Sequence, residues 1–275
     1  MQYFVSAENI AYHHWQLELL IESFKMHNLQ DSLVVGLADS TEPIYSEPVN
    51  LRSHKHVFVH DNIGKEKNCP SFNRVYGLFV AITKGLIKPP FTLIHPDTIL
   101  VKPIENKSID ITFQMDPEFT LQKSKSEDFV KTVKDAKKIE EDIWLPLGDT
   151  ICFEKLPDEF VKRVLELADY LTKTYPGWED AEKTAWALTM LEYYGHLTYY
   201  GTIGIENTLM DTELKHLIHY KRGLPPYFNK NMFRFEPPIV FSMGDPYDIL
   251  LKYNANKAMD YVGKVILSYK KSSEK

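Results

Sequence analysis

The sequence predicts an α/β protein, because apolar runs of strand length alternate with amphipathic segments of helical period. The first apolar run, Tyr3–Ala7, is followed by a helical pattern from about Tyr12 to Asn28. A continuous apolar run, Leu33–Ala38, comes next and is typical of a buried parallel strand. This β-α-β order favours a nucleotide-binding α/β domain. The 275 residues are enough for one large domain, and no linker long enough to divide them follows.

The rest of the chain continues the alternation. Strands are predicted at His56–His60, Phe91–His95, Ile109–Met115, Asp149–Phe153, Leu197–Ile205 and Leu214–Tyr220, and helices at Asn73–Lys88, Asp158–Thr174, Glu179–Tyr194 and Pro246–Val262. Asp158 is the expected N-cap of its helix. In the following helix Tyr193 is expected on the buried stripe with Trp186 and Met190. The charged segment Lys123–Asp142 is interpreted as an exposed helix or a mobile excursion.

The amino-acid composition limits the classes of function that fit this chain. Hydrophobic residues make up 44% of the chain and aromatic residues 13%, which suits clefts for sugars or bases as well as ordinary core packing. The net charge of −6 does not predict general nucleic-acid binding and leaves only a local basic groove as an alternative. Cys69 and Cys152 lie far apart and predict a reducing compartment. The N-terminus lacks a signal-peptide pattern and no run reaches the ~18 apolar residues of a membrane span, so we expect a cytoplasmic protein.

One stretch, Phe91–Ile104, has the pattern of a binding site: an apolar run, a break that holds one carboxylate, and a second apolar run. Open parallel sheets bind ligands outside the carboxyl ends of their strands. Mg²⁺ or Mn²⁺ on a diphosphate needs few protein carboxylates, because phosphates and water supply the other ligands. Asp97, in the break, is therefore a candidate metal ligand. The alternative is a β-turn that contains Pro96 and Asp97 for conformational reasons alone.

Two further segments are candidates for the same site. His219 ends an apolar strand late in the chain, and an imidazole can share a divalent ion with a carboxylate from a distant segment. A core or surface histidine is the alternative interpretation of His219. Asn73 and Arg74 begin the helix before the Asp97 stretch, where backbone N–H groups and a guanidinium can meet phosphate.

Five short stretches, taken in order, match the patterns of one known group of enzymes. They are Ala11-Tyr-His-His-Trp-Gln16, Asn73-Arg-Val-Tyr76, His95-Pro-Asp-Thr-Ile-Leu-Val-Lys-Pro-Ile104, Glu182-Lys-Thr-Ala-Trp186 and Leu217-Ile-His-Tyr220. With them the chain resembles the plant and algal hydroxyproline O-arabinosyltransferases and the related peptidyl-serine galactosyltransferases, which are GT-A-type glycosyltransferases. The third stretch is the specific one, against a family pattern of Glu-Pro-Asp-His-Ile-Ile-Val-Lys-Pro-Ile.

The resemblance implies a GT-A-type fold: a single Rossmann-like domain with a mixed central sheet over residues 1–245, with residues 246–275 as a C-terminal helix and tail packed on it. It also implies a metal-dependent, retaining transferase that uses Mn²⁺ or Mg²⁺ and a UDP-sugar donor. UDP-L-arabinofuranose is the favoured donor, so pentosyl transfer is favoured over hexosyl transfer. The implied partners are the nucleotide sugar and an acceptor that bears a hydroxyl group. No membrane partner is expected, because no apolar run is long enough to span a membrane.

The resemblance implies that Asp97 and His219 are the metal ligands. The donor-binding candidates are Ser6, Asn73, Arg74 and His95, and the catalytic candidates are Asp180 and Glu182, which open a helix late in the catalytic region. Asp180 and Glu182 are expected to bind acceptor hydroxyls or assist proton transfer; simple N-terminal acids of a helix are the alternative. Trp15 and Trp186 are candidates for stacking on a base or sugar, with core packing as the alternative.

The chain departs from the family at His95, where the family has Glu, so the acidic pair of the metal site is reduced to Asp97. A neutral imidazole can ligate Mn²⁺ itself or orient Asp97 from behind. The family's N-terminal anchor and secretory context are also missing, which indicates a cytosolic or viral relative, in the host cytoplasm if viral. A protein or glycan hydroxyl and a hydroxymethylated base of viral or phage DNA both remain as acceptors.

Two hypotheses of other classes stay open. The first is a catalytically silent sugar-nucleotide-binding or lectin-like module, which the replacement of Glu by His95 favours. The second is a metal-dependent hydrolase on the same sheet, which lacks a visible pair of catalytic carboxylates.

Overall fold

The structure is a computed structural model that describes residues 1–40, 49–104, 111–120, 144–174, 181–194, 199–200, 206–207, 214–219, 246–251 and 256–274. The strands are β1 (Gln2–Glu8), β2 (Leu33–Ala38), β3 (Val57–His60), β4 (Phe91–Ile94), β5 (Thr98–Leu100), β6 (Ile111–Thr120), β7 (Trp144–Phe153), β8 (Tyr199–Tyr200), β9 (Glu206–Asn207) and β10 (Leu217–His219). The helices are α1 (Ala11–Met26), α2 (Val49–Ser53), α3 (Ile63–Glu66), α4 (Phe72–Thr83), α5 (Phe160–Thr174), α6 (Ala181–Tyr194), α7 (Pro246–Leu251) and α8 (Lys257–Ser273).

These strands form two sheets. The larger has the order β3-β2-β1-β4-β7-β6-β8, and the smaller has the order β5-β10-β9. In the larger sheet β1 to β4 are parallel, whereas β7 runs antiparallel to both β4 and β6. The predicted α/β class with a mixed central sheet is confirmed, because the parallel β-α-β half continues into antiparallel strands.

The larger sheet is covered on both faces. On one face Phe4 and Leu93 pack with Leu78 of α4 and Trp186 of α6. On the other face Tyr3 and Val5 pack with Leu20 of α1 and with residues of the small sheet. The alternation of Phe4 with its two neighbours on β1 follows from the two-residue period of a strand.

Helix α1 is enclosed on two sides, because its outer side packs against α8. We call Glu18, Glu22, Asn50 and Ser268 the helix cluster, since they join α1, α2 and α8 by buried and partly buried hydrogen bonds. Glu18 accepts from the backbone N–H groups of Asn50 (2.9 Å) and Leu51 (2.7 Å), and Glu22 accepts from the Asn50 amide (3.1 Å) and the Ser268 hydroxyl (2.7 Å). Burial raises the pKa of the Glu18 carboxyl, and the two backbone hydrogen bonds oppose that rise.

Two predicted helix ends are wrong. The helix predicted to reach Lys88 ends at Thr83, because Gly85 adopts a φ of +67° and the Leu86 N–H returns to Ala81 O at 2.9 Å. That is the left-handed closure which glycine favours at a helix C-terminus. Asp158 is not the N-cap, since helix α5 begins at Phe160 and Glu159 directly precedes it with a φ of +62°.

Two further expectations differ from the structure. The single helix predicted over Pro246–Val262 is two helices, α7 and α8; Asn256 caps α8 by accepting from the Met259 N–H at 3.0 Å. Tyr193 is exposed rather than buried, although its ring packs edge-on against Phe160 at 5.1 Å. Trp186 and Met190 are buried as predicted.

The interpretation of Lys123–Asp142 and most of the predicted Leu197–Ile205 strand lie outside the described residues. Among the helices that are described, none combines the length and the apolar character needed to cross a membrane.

Candidate functional site

The carboxyl ends of β1 to β4 lie at one edge of the larger sheet, because the four strands are parallel and adjacent. A polar residue follows each strand: Asn9 after β1, Asp39 after β2, Asp61 after β3 and Asp97 after β4. Backbone hydrogen bonds link neighbouring loops, from Asn9 N to Ala38 O and from Asp39 N to His60 O, both 2.8 Å. This edge is where open parallel sheets bind ligands.

The turn after β4 carries the chain from the larger sheet into the small one. We call His95, Asp97 and Thr98 the edge cluster. Thr98 donates to His95 O from its backbone N–H (3.2 Å) and from its hydroxyl (2.6 Å), which closes the turn. Nδ1 of His95 contacts Oδ1 of Asp97. The Asp97 side chain is 0% exposed, whereas the His95 side chain is 26% exposed.

His219 meets this turn through strand pairing. Strand β10 runs antiparallel to β5, and its register places His219 opposite Thr98. The backbone of His219 therefore lies beside the turn that holds Asp97, although the two residues are far apart in the sequence. Within the described ranges no group of three or more His, Cys, Asp or Glu side chains forms a metal site by itself. Fewer than three protein ligands are enough for an ion that also binds a diphosphate, because phosphate oxygens and water complete its coordination. An imidazole among the ligands favours Mn²⁺ over Mg²⁺.

Arg74 and Glu182 approach each other from the first turns of α4 and α6. Nη1 of Arg74 lies 4.0 Å from Oε1 of Glu182, and the same oxygen accepts a hydrogen bond from Nε1 of Trp186 at 2.7 Å. All three side chains are at least nine-tenths buried. Since a buried charge needs a partner of opposite sign, Glu182 stabilises Arg74 in this position. Trp186 packs in the core, which was the alternative to stacking on a base or sugar. Its indole N–H also donates the hydrogen bond that holds the Glu182 carboxylate.

Asn73 and Ser6 connect α4 to its neighbours. The Asn73 side chain accepts from Gly64 N at 2.7 Å and donates to Asn62 Oδ1 at 2.8 Å. The Ser6 hydroxyl on β1 donates to Asn73 O at 3.1 Å. These bonds hold the first turn of α4 against the edge of the sheet and so set the position of Arg74, which follows Asn73.

His60 is a polar residue of this edge that the sequence reasoning did not single out. It ends β3, donates from Nδ1 to Asp61 O at 2.9 Å, and has Nε2 at 3.4 Å from the Ser6 hydroxyl. Burial lowers the pKa of His60, and the hydrogen bond to Asp61 opposes this. In the sequence, only the position of His60 at the end of a short apolar run marks it as a candidate. That run does not encode the strand order that brings β3 to this edge.

The β1–α1 junction holds a second histidine without an assigned role. Nε2 of His14 donates to Asn9 Oδ1 at 2.9 Å, and the ring is almost completely buried. Burial lowers the pKa of His14 to about 4, so the ring is neutral at pH 7. His14 belongs to the first of the five matching stretches, which marked the segment but not its chemistry. Asp180, the other catalytic candidate, lies outside the described residues.

Comparison with known proteins places the fold. No protein-family model matches the chain, and no curated protein matches it either. The bifunctional glycosyltransferase WbbM is similar over 96% of this chain and 51% of its own, with 9% identity and a TM-score of 0.54. This chain thus spans about half the length of that protein.

Two other solved glycosyltransferases align with lower scores. The galactosyltransferase LgtC, in complex with donor and acceptor sugar analogues, aligns over 83% of this chain and 90% of its own (9% identity, TM-score 0.48). A glycosyltransferase involved in glycosylation of the major capsid of PBCV-1 aligns over 84% and 96% (10% identity, TM-score 0.41). With its mixed sheet and the likeness to WbbM, the chain has the α/β fold of the GT-A-type glycosyltransferases.

Proposed function

We propose that the chain is a metal-dependent glycosyltransferase that moves a sugar from a nucleotide diphosphate sugar to an acceptor hydroxyl. Residues 1–245 would form the transferase domain, with 246–275 packed on it. The observation that carries the proposal is the placement of Asp97 at the carboxyl edge, where β10 brings His219 beside the same turn. The GT-A-type fold supports the proposal independently, since it supplies the edge at which a nucleotide sugar binds.

Different residues at the carboxyl edge would contribute to donor binding in different ways. Asp97, His219 and His95 are the residues that would hold Mn²⁺ or Mg²⁺, which supplies positive charge to the departing diphosphate when bound. Arg74 adds a positive charge, and Glu182, which Trp186 holds by a hydrogen bond, lies 4.0 Å from Nη1 of Arg74 before the donor arrives. The positive end of the α4 dipole, anchored through Asn73 and Ser6, also favours negative charge. A preorganised charge of this kind lowers the barrier without later rearrangement.

The donor and acceptor follow from the resemblance to hydroxyproline O-arabinosyltransferases and peptidyl-serine galactosyltransferases. UDP-L-arabinofuranose with retention of configuration is the first choice, ahead of a UDP-hexose. The acceptor is a hydroxyl group on a protein or glycan, with a hydroxymethylated DNA base as the alternative. Asp180 remains the candidate for contact with that hydroxyl. Glu182 is assigned to support of Arg74, because Oε1 of Glu182 lies 4.0 Å from Nη1 of Arg74 and accepts a hydrogen bond from Nε1 of Trp186.

A donor panel tests the proposal. The protein is incubated with Mn²⁺ and each of UDP-L-arabinofuranose, UDP-galactose and UDP-glucose, together with a hydroxyproline peptide, an oligosaccharide or hydroxymethylated DNA. Free UDP and product mass are measured, and parallel reactions contain EDTA. Transfer that needs Mn²⁺ and fails in Asp97→Asn supports the proposal. UDP release without a heavier acceptor would identify a hydrolase, and donor binding without any turnover would identify a binding module.

A further inference from the structure

The strand that follows the Asp97 turn lies at an edge of the small sheet. Among the described strands β5 pairs only with β10, in the order β5-β10-β9. The Val101 N–H donates to His216 O at 2.8 Å, on the β10 side. Because hydrogen bonds alternate along an antiparallel pair, the N–H and C=O groups of the preceding residue, Leu100, point away from β10. Leu100 is completely buried, so these groups need partners within the protein.

Two helices supply these partners. Ser23 Oγ of α1 accepts from the Leu100 N–H at 3.0 Å, and the Tyr261 hydroxyl of α8 donates to Leu100 O at 3.1 Å. At 3.5 Å, Val101 O is a more distant second acceptor. A tyrosine has one hydroxyl proton, so Nε2 of His27, 2.8 Å from the same oxygen, is the donor in that bond. The side chains of Ser23 and Tyr261 thus take the place of a neighbouring strand.

Hydrophobic packing joins β5 to the same two helices. On one face of the small sheet, Ile99 and Ile218 pack in one cluster with Met259 and Val262 of α8. On the other face, Leu100 belongs to the cluster that contains the buried stripe of α1. Strands β5 and β10 have three residues each, and so short a pair has little stability of its own. The position of β5 is therefore determined by α1 and α8.

We propose that Tyr261 is a positioning residue of the donor site, because its hydroxyl fixes the edge of β5 and so keeps the Asp97 turn in register with His219. The inference rests on the proposed function and deepens it, since it makes the C-terminal helix part of the support of the site. Thr98, which lies opposite His219, is two residues from Leu100. Without the hydroxyl, a buried carbonyl loses the hydrogen bond that it accepts, so the edge of β5 should open more often.

Hydrogen exchange and ligand binding test the proposal without turnover. Tyr261→Phe keeps the ring and removes only the hydroxyl. By mass spectrometry we expect faster amide exchange in residues 98–101 and 214–219. By isothermal titration we expect UDP with Mn²⁺ to bind about tenfold more weakly, the lower end of the loss seen when the support of a metal ligand is removed. Ser23→Ala removes the partner of the Leu100 N–H, should change both quantities in the same direction, and replaces Tyr261→Phe if that variant does not fold.

The matched control is a hydroxyl on the same helix with a different partner. Ser268→Ala removes a hydrogen bond to Glu22 of the helix cluster and leaves the bonds of β5 in place. Its melting temperature should fall by an amount similar to that of Tyr261→Phe. Exchange in residues 98–101 and 214–219, and the affinity for UDP with Mn²⁺, should stay as in the unmodified protein. This comparison separates a positioning role from a general loss of stability.

Two kinds of result would overturn the inference, and they can be told apart. Normal affinity for UDP with Mn²⁺ in Tyr261→Phe, or an equal loss of affinity in Ser268→Ala, would remove the positioning role and leave the proposed function standing. Failure of the unmodified protein to bind UDP with Mn²⁺ would contradict the proposed function, and the role of Tyr261 with it, whatever the exchange in β5.

Discussion

In the helix cluster Glu18 and Glu22 are buried between α1, α2 and α8, whereas in the edge cluster Asp97 is buried where the chain passes from one sheet to the other. The partners differ in kind. Glu18 and Glu22 receive hydrogen bonds from backbone amides, a side-chain amide and a hydroxyl. Asp97 contacts an imidazole that is itself partly exposed at the carboxyl edge of the larger sheet, where the donor site is proposed. Burial is therefore common to both clusters, and the chemistry of the partners is what separates them.

The largest effect is expected in the helix cluster. Glu18→Ala leaves the backbone N–H groups of Asn50 and Leu51 without their acceptor in a buried place, so the free energy of unfolding should fall by about 3 kcal/mol or more. Urea denaturation measures the change, and Glu18→Gln is the matched control with an intermediate loss. UDP binding in the presence of Mn²⁺ should stay normal for the folded protein. A variant that is stable but no longer binds UDP would remove the distinction between the clusters.

Acid should destabilise the end of α1 that lies nearest the edge cluster. The pKa of His14 falls from 6.5 to about 4 on folding, so the unfolded chain binds the proton more readily between these values. The stability from a neutral His14 is complete above pH 6.5 and is lost as the pH falls to about 4, by at most ~3 kcal/mol. Denaturation curves from pH 7 to 4, compared between the natural protein and His14→Gln, measure this slope. Identical slopes would mean that His14 does not resist protonation in the folded state.

A smaller effect in free energy, but a decisive one for function, is expected at Asp97. Asp97→Asn keeps an acceptor for Nδ1 of His95 and removes the charge, so transfer and Mn²⁺ affinity should fall ~10–100-fold while the melting temperature without ligand changes little. Isothermal titration with Mn²⁺ and UDP, alongside thermal melts, measures both. A large loss of stability with normal affinity would place Asp97 with the structural carboxylates of the helix cluster.

The smallest effect is expected where α8 joins the helix cluster. Ser268→Ala removes the shortest of the hydrogen bonds that Glu22 accepts from Asn50, Ser268 and Ser272, and the net loss in unfolding free energy should be about 1 kcal/mol. Ser273→Ala, which removes a bond from an exposed hydroxyl to Lys270 O within the last turn of the same helix, is the control and should change stability less. Equal losses in the two variants would show that the bond to Glu22 contributes nothing specific.

The elements that could be predicted from sequence are those in which hydrophobic residues recur with the regular spacing of a strand or a helix. Strand β2 was predicted with both of its ends, and α1 to within two residues of each end. The wrong ends have local causes that the period does not contain, such as the positive φ of Gly85 and of Glu159. The extent to which Tyr193 is buried depends on where Phe160 of α5 packs against it, and this tertiary contact is not encoded in the helical period.

The site was predictable as a set of positions and not as a set of contacts. Sequence placed Asp97 at a strand end and His219 at another, and strand register brings their backbones together. The pairing of Arg74 with Glu182 depends on how α4 and α6 pack, which no spacing in the sequence encodes. His60 was missed for the same reason, since its relation to Ser6 exists only once β3 joins the sheet beside β2.

The pairing of β5 with β10 also has a consequence for the order in which the protein becomes active during synthesis. The parallel strands β1 to β4 are all made before β5, so the larger sheet can begin to form while the ribosome is still translating the rest. The partner of β5 comes only near the C-terminal end of the chain, and contacts between such distant segments form late. A nascent chain released before β10 should therefore hold the frame of the proposed nucleotide site without His219. Competence for catalysis would then arise in one of the last steps of folding.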